Sequence, residues 1–446
     1  MSTLDQIAAQ LQGYDPQAMT ADGVRDFLAR LVTPVQDVIE LSLFQALGRV
    51  LAVDVVSPFD VPPHDNSAMD GYAFAGEQLA TNAALELQVA GTALAGKAWQ
   101  GSVQPGQCVK VMTGAVMPAG LDTVVPQEFV TLRRTGDVEI ITIPAGLLHT
   151  GDNRRLRGED LMQGKSALQK GELLTPARIG LAASLGLKTL TTWRPLRVAY
   201  FSTGDEILSL GEAPREGAVY DSNRYTVFGM LSRLGCEVID MGVVRDEPAL
   251  LEAAFTDAAR QADAIITSGG VSVGEADYTK AMMKKLGDVA FWRIAMRPGR
   301  PMAVGRISSL KSAPGAYEES TGSYQYNSNG TVLFGLPGNP VAVMVTFMAF
   351  VRPALLQMMG ARLEPDVLLK AHSLEPIRKK SGRTEYQRGR VSTAPDGSLQ
   401  VKTAGNQGSG VLRSMAEANG LIVLHHALGN VAVGDEVNVM MFDGAI

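Results

Sequence analysis

Apolar positions divide the 446-residue chain into tracts of different period. Between Thr20 and Leu51, Val24, Phe27, Leu28 and Leu31 recur at helical spacing, and a second helical pattern falls around Leu41, Phe44 and Leu47. From about Leu87 to Ile143 the pattern shortens to β-type runs, among them Cys108 to Val111 and Val138 to Ile143, separated by Gly and Pro turns. Helical spacing returns from Thr175 to Leu185, so the β-rich module reads as an insertion.

Regular strand and helix alternation begins at Arg197. Arg197 to Phe201, Glu237 to Val244 and Asp263 to Thr267 read as strands. Between them, Asp221-Ser222-Asn223 can cap a helix that ends at Gly235, and Asp246 with Pro248 opens another. A helix from about Ala276 to Leu286 precedes strands near Trp292 to Met296, Met302 to Ile307 and Thr331 to Leu336, and an apolar helix starts at Asn339-Pro340. This alternation predicts an α/β fold with a mostly parallel sheet and helices on both faces, a three-layer α/β/α domain. Ser308 to Gly330, rich in Ser, Gly, Tyr and Asn, reads as a mobile loop between neighbouring strands. Beyond about Glu364 the strands Arg390 to Thr393, Leu399 to Thr403, Leu421 to Leu424 and Glu436 to Met440 predict a small C-terminal β domain.

Composition narrows the class. A chain of this length suggests roughly three domains, and 46% apolar against 19% charged residues suffices for several cores. A net charge of -6 disfavours a general grip on nucleic acid. Cys108 and Cys236 are too few for a disulfide framework and lack zinc spacing, which points to a reducing cytoplasm. His64, His149, His372, His425 and His426 lack metal-cage spacing. Met1 to Gln12 carries no secretory pattern, and the apolar run Pro340 to Val351, ended by Arg352-Pro353, is shorter than the ~18 residues of a bilayer span, so no membrane role is expected.

The most informative segment runs from Ala264 to Tyr278. A buried strand enters glycines and then a helix start, so backbone N–H groups can converge on an anion at the carboxyl end of the sheet. Ser268, Gly269, Gly270, Ser272 and Gly274 are the candidates for a phosphate, although Gly-Gly after a strand is also an ordinary tight turn. The spacing matches neither a dinucleotide nor a P-loop fingerprint. Carboxylates follow strand ends three times, at Asp205-Glu206, Asp246 and Asp277, and strand ends of a parallel sheet share one rim. Glu206, Asp246 and Asp277 can therefore converge as hard oxygen ligands for Mg²⁺ bridging phosphate oxygens, while Asp246 alone could be a plain helix cap. Arg154, Arg155 and Arg157, then Lys280, then Arg293, Arg297 and Arg300, supply cations suited to tetrahedral oxyanions, or else a solvated face.

Six ordered strings extend this picture: Asp65 to Tyr72, Met112 to Ala115, Arg157 to Asp160, Phe201 to Glu206, Thr267 to Lys280, and Leu336 to Pro340. Together they resemble the molybdopterin molybdenumtransferase family, which includes the E domain of gephyrin, over about residues 20 to 440. The resemblance implies four domains: 1–60 with 150–192, an inserted β-rich 61–149, a molybdopterin-binding α/β domain 193–363, and a small β-barrel domain 364–446. It also implies a homodimer, with a cleft between the sheet domain of one subunit and N-terminal parts of the other. The implied activity is insertion of molybdate into adenylylated molybdopterin with release of AMP. Positions that match the family's functional ones are Asp70, Thr113, Arg155, Asp160, Glu206, Asp246, Asp277, Arg293, Arg297, Pro337, Pro340, Arg388 and Ser409. Asp70 and Thr113 would reach across the dimer, and the basic residues would hold phosphate and molybdate.

The sequence departs from the family in two places. Positions 293, 297 and 300 carry Arg where the family often has Lys, which keeps charge and changes donor geometry. The tract from Ser308 to Gly330 is longer than the usual connection. Two alternatives stand beside this expectation: the preceding molybdopterin adenylyltransferase, whose single domain resembles residues 195 to 360 alone, and a non-catalytic pterin-binding scaffold.

Overall fold

The computed structural model describes residues 3–79, 83–271, 278–308 and 330–442. The chain forms two compact units, one of residues 1–52, 171–174 and 191–446, the other of residues 53–170 and 175–190.

At the centre of the first unit lies a six-stranded sheet in the order Glu237–Val244, Arg197–Thr203, Ala264–Ser268, Thr331–Leu336, Pro301–Ile307 and Gly287–Arg293. The first four strands are parallel, and the last two are each antiparallel to the strand before. Strand period decides which layer each side chain joins. Val198 and Tyr200 face the helices Ser222–Arg233 and Pro340–Thr346, whereas Ala199 and Phe201 face Pro248–Gln261 and Tyr278–Leu286. Phe201 meets Phe255 edge to face at 5.1 Å, and the sheet is thereby covered on both sides.

Local chemistry sets the helix starts. The carboxylate of Asp221 accepts the Arg224 N–H, as the Asp-Ser-Asn string predicts, and Pro248 occupies the first turn of its helix. Val24, Phe27, Leu28 and Leu31 are buried on one face of Ala21–Leu31. The second N-terminal pattern is a correction: Val38–Ser42 is a strand, only Leu43–Ala46 is helical, and the Phe44 side chain is 99% exposed. Helical spacing there has no core surface to bury its apolar positions, so period alone misleads.

The apolar helix also runs further than the sequence suggests, from Pro340 to Met358, and 72% of its most apolar window is buried inside the protein. Pro353 should break it, because its ring removes a hydrogen bond to Ala349. Instead Phe347–Val351 widens into a π turn, and Arg25 Nε donates to the Ala349 carbonyl at 3.4 Å. A membrane-length apolar helix is thus a core element here.

The strand placed near Trp292 to Met296 is also corrected. Gly287–Arg293 ends in the sheet, and Met296–Arg297 pairs instead with Thr384 and Glu385. These two belong to the C-terminal strand Thr384–Thr393, which continues through Leu399–Thr403, Leu369–Ser373, Glu436–Met441 and Gly420–Leu424 and closes back on itself as a five-stranded barrel. The expected loop of 308–330 does join neighbouring strands; its residues 309–329 lie outside the described residues.

In the second unit, six strands order as Thr123–Pro126, Gly71–Phe74, Gln107–Val111, Leu85–Ala93, Val138–Ile143 and Thr131–Thr135. Ala73, Val109, Val111 and Val124 fill one side, and Tyr72, Cys108, Val125 and Ile141 the other. The helix Pro176–Ser184 falls where spacing predicts it.

Candidate functional site

Parallel pairing brings the loops of the first unit to one rim. Thr203 pairs with Val244, Ser202 with Ser268, and Ser268 with Leu336, so Gly204-Asp205-Glu206, Asp246, Gly269-Gly270 and Pro337 to Pro340 leave the sheet side by side. The Glu206 carboxylate folds back over Gly204, where a Cβ would lie 2.5 Å from its Oε2. Asp246 donates its N–H to Asp205 Oδ1 at 3.3 Å, which ties two strand ends together.

Gly269 and Gly270 both adopt left-handed backbone, with φ of 95° and 63°. A Cβ at Gly269 would strike the Thr203 carbonyl, and one at Gly270 would strike Thr279, so the turn admits only glycine. Its first N–H donates to the Leu336 carbonyl at 3.1 Å. Under the turn, Tyr200, Ser202 and Ser268 form a closed hydroxyl triangle of 2.7, 2.9 and 3.2 Å sides. Burial holds the Tyr200 phenol well above its ordinary range, so this layer stays neutral. Ser268 thus supports the turn from beneath, hydrogen-bonded within the protein.

Pro340 opens the core helix, and the next N–H, that of Val341, donates to the Ser409 carbonyl at 3.1 Å. That bond brings the barrel to the rim. Arg388, 1% exposed, spans the same corner: Nε donates to Ser414 Oγ at 3.1 Å, and its other donors reach the carbonyls of Asn406 and Gly408 at 2.9 and 3.0 Å. Burial pushes the guanidinium down to about 10, with the nearby Arg297 adding to the shift, so it is charged at neutral pH. Arg297 and Arg388, with Arg378, Gln387, Gln407 and the Glu385 carboxylate that Arg383 pairs at 2.8 Å, line a recess of about 270 Å³.

The remaining basic candidates differ in their commitments. Arg293, Arg297 and Arg300 are exposed around one turn, where Ile294 donates to the Arg300 carbonyl, and none forms an ion pair among the described residues. Lys280 places its ammonium 5.8 Å from the Phe291 ring on the edge strand. In the second unit Arg154 pairs with Asp65 at 3.5 Å and Arg157 with Asp60 at 2.6 Å, so both serve local structure. Arg155, 61% exposed, only approaches Glu159 at 4.0 Å.

Asp70 and Thr113 meet directly in that unit. The Thr113 N–H and hydroxyl both donate to Asp70 Oδ1, at 2.7 and 2.8 Å, and hold the carboxyl below its usual range. Asp160 donates its N–H to the Val61 carbonyl and leaves its side chain exposed.

Ser272, Gly274 and Asp277 lie outside the described residues. Among the described residues no three His, Cys, Asp or Glu side chains gather in metal-binding geometry. Glu206 and Asp246 offer hard carboxylate oxygens on neighbouring strand ends, a donor type that fits Mg²⁺. Two groups that sequence reading used only as helix punctuation, Asp221 and Asn223, turn out to be buried beside the elbow, where Asn223 Nδ2 donates to the Gly338 carbonyl at 2.8 Å.

Three family models cover the chain in order: the MoeA N-terminal region (domains I and II) over residues 19–186, a probable molybdopterin-binding domain over 199–357, and the MoeA C-terminal region (domain IV) over 370–442. A molybdopterin molybdenumtransferase of Haemophilus influenzae is 38% identical, covering 95% of this chain and 99% of its own. The chain belongs to the molybdopterin molybdenumtransferase family. Another member, from Nostoc, is 35% identical over 91% of this chain and 89% of its own. Among solved structures, the molybdopterin biosynthesis moeA protein of Pyrococcus horikoshii superposes with a TM-score of 0.77 at 25% identity, covering 95% of this chain and all of that one. Membership accounts for the order of modules described above, ending in a closed barrel.

Proposed function

We propose that this protein is a molybdopterin molybdenumtransferase that takes adenylylated molybdopterin and molybdate, releases AMP, and leaves molybdenum on the dithiolene. The observation that carries this reading is the pairing of a carboxylate-bearing sheet rim with arginines that have no carboxylate partner among the described residues, Arg293, Arg297 and Arg300. A substrate joining two phosphates and an oxyanion needs both signs at once: cations for the oxygens, and carboxylates that accept a divalent ion.

The chain's own residues then divide the work. Around the recess, Arg297 supplies the guanidinium fork for molybdate, and Arg388, held by Ser414, Asn406 and Gly408, adds its charge beside it. Beyond the Gly269 and Val341 N–H groups, which Leu336 and Ser409 already take, the Gly270 end of the turn and the first turn of the core helix after Pro340, with Pro337 and the Ser409 hydroxyl beside it, hold the pterin phosphate. Glu206 and Asp246, with Asp277, would hold Mg²⁺, which would offset phosphate charge when bound. Water adds to a phosphorus, the bridging P–O bond breaks, and AMP leaves; as the two dithiolene sulfurs bond molybdenum, one oxo group of molybdate departs as water with the two thiol protons, at unchanged oxidation state. Catalysis is mainly positioning and charge compensation. Asp70 and Thr113, with Arg155 and Asp160, complete the site from a second subunit of a homodimer.

Purified protein, given adenylylated molybdopterin, Mg²⁺ and molybdate, should release AMP, and Glu206→Gln should slow that release at least tenfold. Formation of adenylylated molybdopterin from ATP, without AMP release from it, would point instead to the preceding adenylyltransferase.

A further inference from the structure

Beside the Gly338 elbow the structure buries two acceptors and leaves both without a donor. Asp221 is 4% exposed; its Oδ1 takes the Arg224 N–H at 3.0 Å, and its Oδ2 has no hydrogen-bond partner. Asn223 is 7% exposed; its Nδ2 is spent on the Gly338 carbonyl, and its Oδ1 likewise has no partner. The flanking groups do not supply the missing donors. Arg224 directs its guanidinium at both oxygens of Asp240, at 2.7 Å each. The hydroxyls of Tyr200, Ser202 and Ser268 bond to one another. Yet Asp221 sits near enough that its charge helps burial raise the Tyr200 phenol.

A carboxylate oxygen buried without a donor is costly, so such a group persists where something else brings one. Its position restricts what that can be. Leu208 accepts the Asp221 N–H, and Glu206 accepts that of Val219, so a short ladder joins Asp221 to the rim. Gly338 lies against Gly269, so Asn223 borders the turn proposed to take phosphate. Phosphate oxygens offer only acceptors and are repelled by this pair. Adenine offers one amino donor next to a ring acceptor. A 2-amino-4-oxopyrimidine edge offers two adjacent donors, N3–H and the 2-amino group, which match a carboxylate side by side.

We propose that Asp221 and Asn223 recognise the pyrimidinone edge of the pterin, with the Asp221 carboxylate taking N3–H and the 2-amino group. This rests on the functional reading above and adds to it the residues that distinguish a pterin from bicyclic rings without a 2-amino-4-oxopyrimidine edge, adenine and lumazine among them. Anion binding is thereby confined to the arginines and the glycine turn, and ring recognition to the start of the helix Ser222–Arg233.

The test compares binding of pterin with that of lumazine, which carries a carbonyl in place of the 2-amino group, to the full-length chain by equilibrium dialysis. Wild type should prefer pterin at least tenfold. Asp221→Asn and Asp221→Ser both keep a helix-capping oxygen, so the fold survives, and both should reduce the preference to within about twofold. An unchanged preference in folded variants, or none in wild type, overturns the proposal and leaves a buried water as the donor. AMP release by the same wild-type preparation separates the two failures: release without pterin preference sinks this inference alone, and no release sinks the functional reading.

Discussion

The carbonyl of Ser409 accepts the backbone N–H of Val341 at 3.1 Å, so a barrel loop is fastened to the first turn of the core helix. The bond uses main-chain atoms only and does not engage the Ser409 hydroxyl, which the proposed function assigns to a ligand. Ser409→Ala should therefore change unfolding free energy by less than about 0.5 kcal/mol while lowering AMP release roughly tenfold, the cost of one charge-assisted hydrogen bond. Denaturation midpoints and initial rates on one preparation check both halves.

Arg388 should behave oppositely. Its buried guanidinium serves Ser414, Asn406 and Gly408 at once, so Arg388→Ala orphans several acceptors and should destabilise by about 3 kcal/mol as well as abolish turnover. Arg388→Lys keeps charge and loses the fork, and should recover less than half of that stability by thermal melting.

The path of the core helix past Pro353 rests on Arg25. Arg25→Met keeps the stem but leaves the Ala349 carbonyl and the Tyr386 hydroxyl without that donor. A loss of about 1–2 kcal/mol is expected in urea denaturation, and wild-type stability would show that the π turn carries its own satisfaction.

How much of this was legible beforehand depends on whether the deciding contact was local. Strands such as Arg197–Thr203 and Ala264–Ser268 were readable because burial on both faces gives unbroken apolar runs. Leu369–Ser373 was not, since its inward positions are only Ala371 and Ser373. The cap at Asp221 was visible in three adjacent residues, whereas the commitment of the Asn223 amide depends on Gly338, more than a hundred positions away, and the unmet oxygen of Asp221 on its burial in the folded chain. The same holds for Arg388: its charge is in the sequence, and its burial comes from barrel closure.

Asp70 gives a pH prediction. Its carboxyl is depressed by the Thr113 N–H first and the hydroxyl second, so whatever the ionised Asp70 contributes through these bonds is present above the ordinary Asp range and fades as pH falls through the lowered value. Thr113→Val removes the hydroxyl and keeps the N–H. The acid limb of AMP release should then move to higher pH, and an unshifted limb would show that Asp70 is not the group titrating.

If a second subunit supplies Asp70, inactive Asp70→Ala and Glu206→Ala chains should complement when mixed and exchanged. Activity should return toward roughly a quarter of wild type, because about half of the exchanged dimers are mixed and each of these carries one intact site of two. No recovery despite exchange would place both residues in one subunit's site.

Joint gripping of both anionic reactants is tested most directly by a single-turnover measurement with adenylylated molybdopterin and molybdate. One AMP released for each molybdenum retained by the pterin, with both reduced together in Arg297→Ala, is the predicted result. Full AMP release without molybdenum retention, or molybdenum loading that leaves the adenylyl group in place, would contradict it.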